Sequence, residues 1–352
     1  MKRIALLTGL ALSLGMVSCG KASLQQGAER DTEVTVNFSL GLATKSTSGI
    51  SDNAVNTAYI FAFDGNRLDG SAYVTAATGS INVTQGSRRF IAVVNPNSEF
   101  DFTSVTTPAS IMALVSQLSS ESLADMVMIG DKTETITAGT TSVSIGVTRL
   151  VSKISVNSLQ FSLTGALAGK TVQGVAVYLK NYPTTQSYGG TAGTSYTSGL
   201  YPANQPSFEV YDALGNVTSG SAAITGHTFF CYHRETASST SGKNAIRLCI
   251  TGTIDGQKYY WSIPVNNGAT WNASAFISGD THYGVRRNHS YEYDITITRA
   301  GIPDDGSDPD PTDPDDNGDD DLEDDEDLNS SGITFNLTVA DYIEVAEQNV
   351  TF

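Results

Sequence analysis

The chain has 352 residues, a formal net charge of −17 and a hydrophobic content of 39%. The charge is local: fifteen acids and no base lie between Asp304 and Asp327, so the remainder carries only −2. That balance, with no basic stripe or basic helix, excludes nucleic acid as a partner, and the length suits two domains of roughly 150 residues each.

The first segment, "MKRIALLTGLALSLGMVSCGK", sets Lys2 and Arg3 before an apolar run from Ile4 to Val17, followed by Ser18-Cys19-Gly20. The run is too short to span a bilayer comfortably and has the layout of a secretory signal over residues 1–18. A cysteine directly after a small residue at the cleavage point resembles a bacterial lipobox, with Met16 where leucine is usual. Cys19 is then the lipidation site, whose acyl chains (palmitate among them) anchor the precursor in the outer membrane. The plainer alternative is an ordinary signal that contains a cysteine.

From Thr32 the pattern is β. "EVTVNFSL" alternates Val34, Val36, Phe38 and Leu40 with polar residues, "NTAYIFAFDGN" runs into an Asp-Gly turn, and "GSINVTQGSRRFIAVVNPN" gives two strands separated by Gln-Gly. "TPASIMALVSQLSSESLADM" breaks the period. Its Pro-Ala-Ser start and the spacing of Ile111, Leu114, Val115 and Leu118 predict one short helix. Strands return after Thr133, and "VTRLVSKISV" is long enough to bridge two sandwiches. The stretch from Tyr178 to Tyr211 is rich in Tyr, Gly, Ser and Thr; it reads as a decorated surface loop, with glycan stacking as the sharper option. "TFFCYHR", "IRLCITGTI", "QKYYWSIPV" and "SYEYDITITRA" are further short strands, and such strands with Gly-rich turns indicate antiparallel sandwiches.

Cys231 and Cys249 flank an apparent hairpin, "HTFFCYHRETASSTSGKNAIRLCITGTI". In an exported chain they are either a disulfide or two buried free thiols, and register decides between the two. His227, His233, His282 and His289 are scattered without metal or triad spacing, and neither a nucleophile elbow nor a phosphate loop occurs. The expectation is a protein that is not an enzyme, with no metal and no cofactor. Asp313 to Asp324 mimics a calcium loop, with oxygens at positions one, three and five and Gly318 at six. Asp320 stands where an apolar residue belongs, so residues 303–332 read as a solvated acidic linker.

Beyond the linker, Ile333, Phe335, Leu337 and Val339 alternate with Thr334, Asn336 and Thr338, the mark of a strand with one buried face. Its four apolar positions match those of Val34, Val36, Phe38 and Leu40. Between that first strand and the following domain lies "GLATKSTSGISDN", and a trypsin-like cut between Lys45 and Ser46 would sever the strand and the anchor together. Arg30 is the rival site; cutting there would remove the lipid and leave the strand. The exposed groove would then accept residues 333–352 of a neighbouring copy by β-augmentation, and head-to-tail addition of this kind gives an open filament.

The lipobox, the first strand ending at a basic residue, "GSRRFIAVVNPN", "VTRLVSKISV", "YYWSIPV", "VRRNHSYEYDITIT" and "LTVADYIEVAEQNVTF" together resemble the fimbrillins of Bacteroidales, the type V pilins, over nearly the whole chain. The likeness is greatest to stalk subunits of the short, minor fimbriae. It implies a mainly β fold of two antiparallel β-sandwich domains of transthyretin-like or Greek-key type, with one short helix in the first. The expected divisions are a signal at 1–18, a lipidated propeptide at 19–45, sandwiches at 46–147 and 148–302, the linker at 303–332 and a donor segment at 333–352. It implies also a trypsin-like maturation protease, partnership with identical subunits and with anchor and tip subunits, and a place in the cell-surface fimbrium. Maturation in that family usually follows an arginine; the matching position here is Lys45. The other option is a non-polymerising surface lipoprotein, either an accessory subunit or a glycan-binding adhesin.

Overall fold

The computed structural model describes residues 32–42, 54–96, 102, 105–191, 211–236, 246–265, 283–303 and 333–341. They are mainly β. In the first part run β1 (Glu33–Leu42), β2 (Ala58–Asp64), β3 (Arg67–Val74), β4 (Thr78–Thr84), β5 (Gly86–Val94), β6 (Val115–Gln117), β7 (Met128–Ile136) and β8 (Ser142–Arg149). All but β6 form one seven-stranded sheet in the order β3-β2-β5-β7-β8-β1-β4. The β2–β3 hairpin turns at Gly65, whose φ of 58° is the left-handed value the Asp-Gly signal predicts.

This sheet curls until its two end strands touch. Gly70 of β3 lies so close to β4 that a Cβ there would stand 2.1 Å from the carbonyl oxygen of Asn82, so only glycine lets the backbones meet. The curled interior is apolar: Val36, Phe38, Ile60, Ile81, Val83, Phe90, Ala92, Val143 and Ile145 are buried together.

Leu150 separates β8 from β9 (Val151–Phe161), so the long "VTRLVSKISV" segment does carry the chain from one sheet into another. There follow β10 (Thr171–Lys180), β11 (Thr185–Ser187), β12 (Tyr211–Thr218), β13 (His227–Tyr232), β14 (Arg234–Thr236), β15 (Arg247–Ile254), β16 (Gln257–Pro264), β17 (Tyr283–Val285), β18 (His289–Ile297), β19 (Ile302–Pro303) and β20 (Ile333–Asp341). A five-stranded sheet has the order β12-β10-β15-β16-β19, and a four-stranded one has β13-β9-β18-β20. Val177, Leu179, Ile250 and Trp261 from the first belong to one buried cluster with Ile154, Leu159, Phe229 and Ile295 from the second. The same cluster takes in Phe61, Phe63, Ile91 and Val93 from β2 and β5, so the apolar interior continues from the curled sheet into the later ones.

Two expectations are corrected, and the one short helix is found but ends earlier than its apolar spacing predicts. The sheets are not wholly antiparallel: β1 runs parallel to β8, and β18 parallel to β9. Neither pair is joined by a short turn, and only a tight hairpin forces neighbours to oppose. The helix is one short piece, α1 (Pro108–Met112), with Pro108 in its first turn and a reciprocal cap between Thr107 and Ser110. It stops because the chain extends at once into β6, which pairs with β11, so Leu114, Val115 and Leu118 lie beyond it. Finally, β13 and β15 are not a hairpin. β13 pairs with β9 and β15 with β10 and β16, which puts Cys231 and Cys249 in different sheets, both buried and with no disulfide between them. Burial in apolar surroundings pushes the Cys231 thiol up, away from the reactive thiolate.

Candidate functional site

β1 is an interior strand. It is hydrogen-bonded antiparallel to β4, from Glu33 opposite Thr84 to Ser39 opposite Thr78, and parallel to β8, from Asn37 opposite Ser142 to Leu42 opposite Val147. Asn37 N–H also donates to Thr141 O at 3.0 Å, and Leu40 N–H to Ala77 O at 2.7 Å. The alternation seen in the sequence is physical: Val36, Phe38 and Leu40 are buried at 0%, 2% and 7% exposure, whereas Thr35, Asn37 and Ser39 face solvent. Val34 is partly buried against the same cluster. Gly79 on β4 makes room for the Phe38 ring, since a Cβ there would meet Cζ at 2.7 Å. Three such side chains contribute about 5–9 kcal/mol of apolar burial as an upper bound.

β4 has β1 as its one ladder partner among the described residues. A polar knot at its C-terminal end ties it to β3 and β5. Asp69 accepts from Thr84 N–H (Oδ2, 2.8 Å), from the Thr84 hydroxyl (Oδ1, 2.8 Å) and from Arg88 Nε (2.8 Å). Arg88 donates further to Thr84 Oγ1, to Gln85 O at 2.7 Å and to Ser87 O at 2.9 Å. Both side chains are almost wholly buried, 3% exposed for Asp69 and 4% for Arg88. Burial pushes the Asp69 carboxyl up, but the hydrogen bonds from Thr84 and Arg88 and the guanidinium charge outweigh it and leave the group below its ordinary value.

The terminal strand lies elsewhere. β20 sits at the edge of the four-stranded sheet, antiparallel to β18, with Ile333 opposite Ile297, Phe335 opposite Ile295, Leu337 opposite Tyr293 and Val339 opposite Tyr291. The structure therefore does not bring the two matched strands together; each belongs to its own sheet. Cys19, Arg30, Lys45, Ser46, His282 and the acidic run, with Asp313 to Asp324, lie outside the described residues.

A second polar site joins the early and late parts of the chain. Glu121 Oε1 lies 2.8 Å from the Tyr232 hydroxyl and accepts from the Ser116 hydroxyl at 3.0 Å, while Oε2 accepts from Val127 N–H at 2.9 Å. Burial raises its pKa to about 7 against the pull of those three donors, and it raises the Tyr232 hydroxyl too. Nearby, a cleft of about 440 Å³ is lined by Arg89, Asp131, Thr148, Tyr188 and Arg287; Arg89 is held there by Asp131, Nε to Oδ1 at 3.0 Å. Among the described residues there is no cluster of three or more metal-ligating side chains, and no helix is long and apolar enough to cross a membrane.

Sequence reasoning missed the knot and the Glu121 site. One signal was available for the first: an Asp-Gly pair inside a strand marks a close backbone approach rather than a turn.

The molecule has the fold of Bacteroidales fimbrilins and cell adhesion proteins. A fimbrilin, FimA, from Porphyromonas gingivalis superposes with a TM-score of 0.57 at 15% identity, over 89% of this chain and 98% of that one. A Bacteroides eggerthii protein ascribed to cell adhesion gives 0.60 at 16% identity, over 88% and 96%. The tip fimbrial protein Mfa3 of Porphyromonas gingivalis, in a C-terminally truncated form, gives 0.50 at 13%, over 88% and 100%. No protein-family model matches the chain, and no curated protein matches it by sequence.

Proposed function

We propose that the chain is a stalk subunit of a fimbrium, exported as a lipoprotein acylated at Cys19, cut between Lys45 and Ser46, and polymerised by strand exchange. In this reading residues 46–147 and 148–302 are two sandwich domains, and residues 19–45 leave with the anchor. One observation carries the reading: the strand a cut after Lys45 would release is an interior one, whose removal opens a slot lined by the partners of Val36, Phe38 and Leu40. An empty slot exposes apolar surface and two unpaired strand edges, so it demands a replacement.

The topology also supports a direction. β20 has nine partners on one side, whereas β1 has seven on β4 and six on β8. A donor that leaves an edge for such a slot exchanges one ladder for two, provided it enters parallel to β8. The residues between Pro303 and Ile333 allow this reach, on the order of 100 Å fully extended. Filaments of identical subunits, with anchor and tip subunits at the ends, follow from head-to-tail addition.

The position of β20 on β18 favours one alternative, a surface lipoprotein that keeps its first strand and does not polymerise. Replacing Lys45 with Ala separates the two. The stalk reading expects a folded, lipid-anchored precursor without filaments, and N-terminal sequencing of wild-type protein sheared from cells should start at Ser46. Normal filaments from Lys45→Ala, or a start after Arg30, sink the assignment.

A further inference from the structure

We infer that the Asp69–Arg88–Thr84 knot is a positioning device that holds β4 in place as the outer wall of the slot while the slot is empty. The inference rests on the reading that β1 is withdrawn during maturation. With β1 in place, β4 needs no other support, because its ladder runs from Thr78 to Thr84. Once β1 leaves, that whole ladder is lost, and no other strand is hydrogen-bonded along β4 among the described residues. Chain connection alone is weak support, since β4 and β5 are joined at Gln85 and Gly86 but belong to opposite parts of the sheet order. An unsupported β4 would fold into the open apolar interior or fray, and either would close the slot before a donor arrived.

The knot is placed where it counters both. Asp69 is on β3, Thr84 on β4 and Arg88 on β5, so three strands converge on one carboxylate. Each bond to Asp69 is charge-assisted and shielded from water, the circumstance in which such bonds are strongest. Asp64 adds a second carboxylate 3.6 Å from Arg88 Nη1. Two residues back along β4, the close contact of Asn82 with Gly70 sets the distance between the same two strands. Thr84 lies opposite Glu33 of β1, and Asn82 opposite Thr35, whose hydroxyl donates to Asn82 Oδ1 at 2.8 Å. The three bonds to Asp69, however, come from Thr84 and Arg88 and involve no group of β1, so they survive when the first strand goes. These bonds are thus independent of the slot's occupant, as a receptor for an exchangeable strand requires.

The test uses the full chain with a specific protease site placed after Lys45 and cut in the folded state. Two quantities are read before and after the cut: protection of β4 amides by hydrogen exchange, and affinity for a labelled synthetic peptide of residues 33–42, which displaces the resident segment. Asp69→Asn and, alongside it, Arg88→Lys, which keeps the charge but loses the fork, should leave β4 protected as in the wild type before the cut. After it, both should lose β4 protection whenever the slot is emptied and bind the peptide at least about tenfold more weakly, the loss expected for one buried charge-assisted bond. Cut variants that bind the peptide as tightly as the wild type would overturn the inference. So would a loss of β4 protection of equal size before and after the cut, or Arg88→Lys matching the wild type where Asp69→Asn fails to fold. A peptide of residues 333–352 offered to the cut wild type judges the donor reading separately. If residues 33–42 bind and residues 333–352 do not, that reading falls and the role of the knot stands.

Discussion

β1 and β20 are strands of ten and nine residues with the same alternation of apolar and polar positions, yet the molecule uses them differently. β1 is enclosed by ladders on both sides, and its alternate side chains complete the interior of a curled sheet. β20 lines one edge, with β18 alone beside it among the described residues. The comparison teaches that period-two patterning specifies a buried face and says nothing about how many neighbours a strand has. In the proposed reading it also accounts for β20 being the strand that leaves its own sheet. An edge strand at the end of a long tether breaks one ladder when it departs, and nothing inside a sheet has to open.

The largest effect expected from this contrast is the loss of assembly on deleting Ile333 to Phe352. The subunit should be exported, cut and monomeric by sedimentation, since nothing then refills the slot. Filaments formed by the truncated chain would break the comparison at once, because β20 would be a cover for β18 and no more.

Next in size is a reversal between two phenylalanines. In the uncut chain Phe38→Ala should cost about 3–5 kcal/mol, the usual range for truncating a buried phenylalanine, whereas Phe335→Ala on the edge strand should cost less than about 2 kcal/mol. In assembled material the order should invert, because Phe38 is gone after the cut and position 335 has entered the slot. Denaturant midpoints of uncut monomer and of filaments measure this directly. Equal costs in both states would mean that β20 never changes its environment.

Much of this was legible in the residues. The alternation of Val34 to Leu40, the Asp-Gly hairpin and the passage of "VTRLVSKISV" between sheets are local signals, and local physics settles them. Parallel pairing of β1 with β8 and the separation of Cys231 from Cys249 depend on which strands become neighbours across 30 residues or more, and the meeting of Gly70 on β3 with Asn82 on β4 depends on the curl of the whole sheet. No period records that. The Asp69 knot and Glu121 were hidden for a related reason. A lone acid in a polar stretch has the same sequence pattern whether solvated or buried, and only the fold brings Arg88, Thr84 or Tyr232 to it.

Glu121 gives a smaller, pH-dependent test that touches neither matched strand and so serves as their control. Its folded pKa, about 7, is raised above the ordinary value of 4.5. A carboxyl raised in this way favours the folded state fully below pH 4.5, and the contribution is lost as pH rises through 7. Stability should therefore fall by about 3 kcal/mol at most across that window. Glu121→Gln, which keeps a hydrogen-bonding amide in place of the acid, should flatten the profile. Because the site joins Ser116 of β6 to Tyr232 of β13, the β6–β11 pair and the sheet carrying β20 should respond together. An unchanged slope in the Gln variant would assign the pH response to other groups.

The smallest effect should come from the acidic run itself. Fifteen acids without a base repel one another, yet at physiological salt that repulsion is screened beyond about 8 Å. The run offers Leu322 as an isolated apolar residue, too little to build a core of its own. Its contribution to exchange is then reach, which a neutral chain of the same length supplies nearly as well. Exchanging residues 304–332 for a Gly/Ser segment of equal length should leave filament yield close to wild type at physiological salt, with a modest deficit only at low salt, where the charged version is more extended. Shortening the segment to a few residues should stop assembly, because β20 could no longer leave its own sheet for another molecule. If the Gly/Ser version fails while added calcium restores only the natural sequence, the Asp313 to Asp324 loop is a metal site, and the strand's release is governed by ion binding instead of by length.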